Sequence, residues 1–104
     1  MKKLAKPPKA LSPEAKTWWR KLVRDYAIDD SAGHLLLENA LQAFDEMRSA
    51  QAILEKEGQV FRDRYGQPRQ HPATLVVRDA RNLMLRSLRA LNLDVLPGAP
   101  LGGN

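Results

Sequence analysis

The chain contains no cysteine, which excludes a disulfide framework, a thiol nucleophile and any zinc–cysteine centre, and makes an intracellular setting the simplest reading. Histidine is almost as scarce: His34 and His71 stand alone, and two isolated imidazoles do not make a metal site. Long apolar runs are missing too. No segment is long enough to span a membrane, and the basic opening MKKLAKPPKALSP lacks the apolar core of ~7–15 residues that a secretion signal needs. The glycines fit neither G-x-G-x-x-G nor G-x-x-x-x-G-K, so no phosphate loop is expected. No serine, histidine and aspartate share a local catalytic motif either. The expectation is a chain without catalytic residues, bound metal or cofactor.

What is present suits a packed fold. Hydrophobic residues make up 43% and charged residues 28% of 104 residues, enough for one domain that buries roughly 60–70% of its unfolded surface. Charge is unevenly placed. Residues 1–27 carry eight Lys/Arg against two Asp/Glu, residues 28–58 two against seven, and residues 59–104 seven against three, giving +6, −5 and +4. An acidic middle between basic ends suggests a polyanion at one surface and self-association or partner docking at another.

Periodicity predicts an all-α domain of three main helices over residues 12–92, between a mobile basic arm at 1–11 and a Pro/Gly-rich flexible tail at 93–104. Ser12 and Pro13 have the chemistry of a helix start, and Ala15, Trp18, Trp19, Leu22, Val23 and Tyr26 follow at helical spacing. A second helix is expected from the Asp29–Ser31 region to about Glu57, inward along Leu36, Ala40, Phe44, Met47, Ala50 and Leu54. The third begins near Pro72, with Val76, Ala80, Leu83, Met84, Leu88 and Leu91 facing inward and Arg78, Arg81, Arg86 and Arg89 outward. Between the last two helices, Gly58–Pro72 breaks the pattern. Val60–Tyr65 alternates as a strand, and Tyr65–Gly66 suits the turn of a small hairpin or extended excursion. Such a ribbon is marginal alone and should lean on helices or a neighbouring subunit.

Lys2, Lys3, Lys6 and Lys9 on the arm adjoin Lys16, Arg20, Lys21 and Arg24 on the first helix, a clustering that fits phosphate binding. Arg62, Arg64 and Arg69 form a smaller set on the hairpin, suited either to a DNA groove or to pairing with the acidic second helix. Each group also has a plainer role as solvated surface. Trp18 and Trp19 read as core plugs before they read as interface anchors. His34 and His71 read as local hydrogen-bonding residues, Arg78–Asp79 as an ion pair, and the acids of the second helix as a solvated face.

Taken in order, LSPEAKTWWRKLVRDYAIDD, the long Leu/Ala helix ending EKEGQVFRDRYGQPRQHPA, and VVRDARNLMLRSLRALNLD resemble the small subunit of phage terminase in its short, compact branch, over residues 11–94. The resemblance implies a non-enzymatic viral packaging initiator in the host cytoplasm. Such a subunit binds double-stranded phage DNA near the packaging start, assembles as a homo-oligomeric ring, and delivers DNA to the large subunit, which holds the ATPase and nuclease. Larger members often carry an N-terminal helix-turn-helix domain. Here two helices flank Tyr26–Asp30, which implies one domain combining DNA-binding and ring-forming roles. From the residues alone, a dimeric helical transcription regulator and a structural adaptor that binds no DNA remain open.

Overall fold

A computed structural model describes residues 4–92 of the protein. Three helices, α1 (Pro13–Asp25), α2 (Ser31–Glu57) and α3 (Ala73–Ala90), are joined in that order, with strands β1 (Val60–Arg62) and β2 (Pro68–Gln70) between the last two. This is the all-α domain with a hairpin excursion that the sequence leads one to expect. The tail at 93–104 lies outside the described residues.

α1 starts where the Ser-Pro pair places it. Ser12 Oγ accepts the Ala15 amide at 3.0 Å, Pro13 occupies the first turn without needing a donor, and Glu14 complements the positive end of the helix. The helix ends in a reversal in which the Ile28 amide reaches back to the Val23 carbonyl at 3.1 Å, with Ala27 at φ 52°. That turn folds Ile28 under the helix, where it is buried.

α1 runs antiparallel along the N-terminal half of α2. Ser12 meets Asp45 near the middle of α2, and Trp19 packs against His34 near its start, ring centroids 5.7 Å apart. His34 Nε2–H also donates to the Ile28 carbonyl at 3.0 Å, tying the α1–α2 connection to the second helix. Gly33 is required at this joint. A Cβ there would stand 2.6 Å from Asp30 Oδ1 and 2.7 Å from Ile28 Cγ2.

α3 returns antiparallel along α2. The contact is built from small buried residues, Ala40, Ala43 and Ala50 on α2 and Ala73, Ala80 and Ser87 on α3, which let the two backbones approach closely. The inward stripe of α3 is therefore rotated from the one its larger side chains suggest. Ala73, Val77, Ala80, Met84, Leu88 and Leu91 face the core, while Val76 and Leu83 are each 44% exposed. On α2, Leu36 and Leu54 are half-buried and Ile53 is exposed, again because alanines hold the closest positions.

Gly58 closes α2 at φ 84° and ψ 160°, a region essentially restricted to glycine. β1 and β2 pair antiparallel, Phe61 opposite Arg69, and every residue of both strands is exposed. Tyr65 lies in the loop beyond the short strand, so the strand expected over Val60–Tyr65 stops at Arg62. His71 then starts α3 by a device the sequence only hints at. Its Nδ1 accepts the Ala73 amide at 3.0 Å and its Nε2–H donates to Glu57 at 2.9 Å, so the ring caps one helix and latches onto the end of the other.

Candidate nucleic-acid interface

Helical spacing makes one row of Lys16, Arg20 and Arg24, which recur every four residues beside the buried row Ala15, Trp19 and Val23. Arg20 and Arg24 are exposed and Lys16 half-buried. Arg24 bonds its neighbour Asp25, Nε to Oδ1 at 3.1 Å with the Arg24 side chain 64% exposed, a pair too well solvated to cancel its field. Lys21 lies across the helix, its ammonium 5.4 Å from the centre of the Trp18 ring. Trp18 departs from the core reading: it is 42% exposed, whereas Trp19 is buried.

The expected mobile arm meets anchoring contacts between Ala5 and Leu11. Leu11 is buried, and Trp19 Nε1–H donates to the Ala5 carbonyl at 3.0 Å. Leu4 and Ala5 share a cavity with Val23, Arg24 and Ile28, so this segment runs back along α1 on the side of its cationic row. Lys6 and Lys9 on this anchored segment are both exposed. Lys2 and Lys3 lie outside the described residues.

The hairpin arginines are placed elsewhere and mostly employed. Asp63 organises the loop, its Oδ1 accepting the amides of Tyr65 and Gln67 at 2.9 and 3.0 Å while Oδ2 accepts Arg69 Nε at 2.9 Å. The Arg69 guanidinium, followed by the Gln67 and Tyr65 amides, holds the Asp63 carboxyl below its ordinary pKa. Arg62 Nη1 donates to the Gly66 carbonyl at 2.7 Å. Arg64 alone is turned outward, over the exposed ring of Tyr65 at 5.0 Å. The hairpin follows Glu57, twelve residues or roughly 18 Å of helix beyond the Asp45 that holds the start of α1. The two basic sets are thus separate surfaces.

A family model described as phage terminase, small subunit, matches residues 15–95. The chain belongs to that family. No curated protein and no solved structure matches it. Membership gives this terminase small-subunit chain a role in phage genome packaging, in a subunit that is generally non-catalytic. No helix among the described residues is long and apolar enough to cross a membrane.

Two features of this family member escape a reading by element. Asp45, one of the acids on α2, is an anchor: its Oδ1 and Oδ2 accept the Ser12 hydroxyl at 2.5 Å and the Ser12 amide at 2.9 Å. Arg48 is likewise taken up, forking onto Glu14 with Nε and Nη2 at 3.2 and 3.1 Å. The outer arginines of α3, by contrast, are left largely uncommitted. Arg78 bonds the adjacent Asp79 at 3.2 Å, and Arg81, Arg86 and Arg89 bond no acid among the described residues. Their spacing of three, five and three residues, off the buried stripe, was the available signal.

Proposed function

We propose that this terminase small subunit binds phage genomic DNA through the phosphate backbone, assembles as a homo-oligomeric ring, and presents the DNA to the large ATPase and nuclease subunit in the host cytoplasm. The observation that carries the DNA-binding step is the row Lys16, Arg20 and Arg24 on α1, with exposed Lys6 and Lys9 on the segment anchored to the same helix; Asp25 lies 3.1 Å from Arg24, and Asp29 lines the same cavity as Arg24. Lys21, over the Trp18 ring, adds a cation on another side of α1. Counterion release from phosphates needs this density of unneutralised charge and no base-reading geometry. A ring multiplies such weak contacts, because each further subunit engages at a high effective concentration.

The hairpin contributes less than its composition suggests. Arg62 and Arg69 are spent on loop structure, which leaves Arg64 for phosphate. The acidic outer side of α2 and the exposed apolar residues Leu35, Ile53, Val76 and Leu83 supply material for contacts between copies.

Native mass spectrometry together with DNA affinity measured across a salt series tests this reading. A complex of more than two copies, and an affinity that falls steeply and linearly on a log–log salt plot, are expected. A dimer selective for one short operator would favour a transcription regulator instead. Negligible affinity at low salt would favour a protein-binding adaptor.

A further inference from the structure

α3 departs from a local rule of helix design. Arg78 and Arg81, and again Arg86 and Arg89, stand three residues apart, where side chains of like charge meet and weaken an isolated helix. Among the described residues the one ion pair that these arginines make is Arg78 with Asp79, the helix's single acid. All four are exposed or half-exposed to solvent. Other arginines are committed, Arg48 forking onto Glu14 and Arg62 and Arg69 holding their own loop, whereas Arg20 and Arg64 face solvent as these do. A local violation without local compensation points to a function outside the fold.

The geometry suits one chemistry. With 3.6 residues per turn, the face opposite the buried Ala73, Ala80 and Ser87 falls on Arg78, Asn82, Arg86 and Arg89, while Arg81 sits on the flank toward α2, where it lines a cavity with Arg48 and Glu55. Arg78 to Arg89 spans eleven residues, roughly 16 Å of helix, against a DNA major groove about 12 Å wide. The row can therefore touch phosphates on both sides of a groove. Guanidinium groups also grip phosphate through two parallel N–H donors, which an ammonium cannot do.

We infer that the outer face of α3 is a second phosphate-binding surface for duplex DNA, with Arg86 and Arg89 as its uncommitted contacts and Arg78 as a third released from Asp79. This rests on the DNA-binding reading above and adds to it a face of the molecule distinct from α1. The competing occupant is the acidic side of α2 on another copy of the chain.

The test uses the full chain, a mixed-sequence DNA duplex, and three proteins: wild type, R86Q/R89Q and R86K/R89K. Both positions are exposed and far from the α2 contact, so unchanged circular dichroism and melting are expected. The single variants R86Q and R89Q, each with half the effect, keep the test decisive should the double variant melt early. The log–log salt slope should be shallower by about 0.9 for each arginine neutralised, so by nearly two in R86Q/R89Q, with affinity lowered alike for all DNA sequences. R86K/R89K should restore the slope while binding more weakly than wild type. A steep wild-type slope left unchanged in R86Q/R89Q overturns the α3 surface and leaves the α1 reading intact. Loss of assembly in R86Q/R89Q, seen by native mass spectrometry, overturns it in favour of ion pairing between copies. A wild type that shows no salt-dependent binding at all overturns both readings together.

Discussion

Asp45 illustrates how one carboxylate can carry a tertiary contact that its own helix conceals. It sits among Glu38, Glu46 and Glu55 on α2, yet it alone reaches 33 residues back to Ser12, whose hydroxyl simultaneously caps α1. Substituting Asp45→Ala should lower stability by about 1–3 kcal/mol, the range for a partly buried hydrogen bond to a charged acceptor. Because Ser12→Ala removes the hydroxyl bond to Asp45 together with the cap, and keeps only the backbone amide bond, its cost of about 1 kcal/mol should not add fully to that of Asp45→Ala in a urea-denaturation double-mutant cycle. Additive losses would show the two groups to be independent. Ala27 is a residue-scale case of opposite sign. At φ 52° a β-carbon is strained, so Ala27→Gly should gain about 1 kcal/mol in the same assay, whereas a gain of zero would mean the unfolded chain's added freedom cancels the relief.

At the scale of elements, what could be read directly was whatever depended on neighbours in sequence. Ser12-Pro13 and Gly58 mark helix ends through local backbone chemistry, and the helices begin and stop there. Less legible was anything decided by a distant partner. The stripe of α3 turns away from Val76 and Leu83 because alanines on two helices meet, and Arg62 and Arg69 are consumed by groups that only the folded loop brings near. The hairpin yields a pH prediction. Asp63 has a lowered pKa in the folded loop, so its contribution to loop order is complete above the ordinary carboxylate range and is lost as pH falls through the lowered value. Amide resonances of Tyr65 and Gln67 should therefore shift together on acidification, while α-helical circular dichroism stays constant. In Asp63→Asn the same resonances should sit near their acid positions at neutral pH. Unchanged shifts in that variant would show that the turn is held by Gly66 and strand pairing without the carboxylate.

At the scale of the whole molecule, the N-terminal segment has two roles that a truncation would confuse. It carries the exposed Lys6 and Lys9, and it also packs Ala5 against Trp19 and buries Leu11. Removing residues 1–10 deletes four lysines together with the Ala5 carbonyl that satisfies the Trp19 indole, so weaker DNA binding after truncation could reflect either charge or packing. Neutralising the lysines separates them. A variant with Lys2, Lys3, Lys6 and Lys9 replaced by Gln should keep the melting temperature of the parent, since exposed single charges contribute little to folding. The truncated chain should melt several degrees lower, because leaving a buried donor unpaired costs about 1–3 kcal/mol, which for a domain of this size corresponds to a shift of that order. If the lysines meet phosphate, both chains should show the same shallower salt slope, by about 0.9 for each phosphate no longer neutralised. A slope unchanged in the lysine variant but altered in the truncation would assign this segment to architecture, leaving DNA to the row of Lys16, Arg20 and Arg24 and to the arginines of α3.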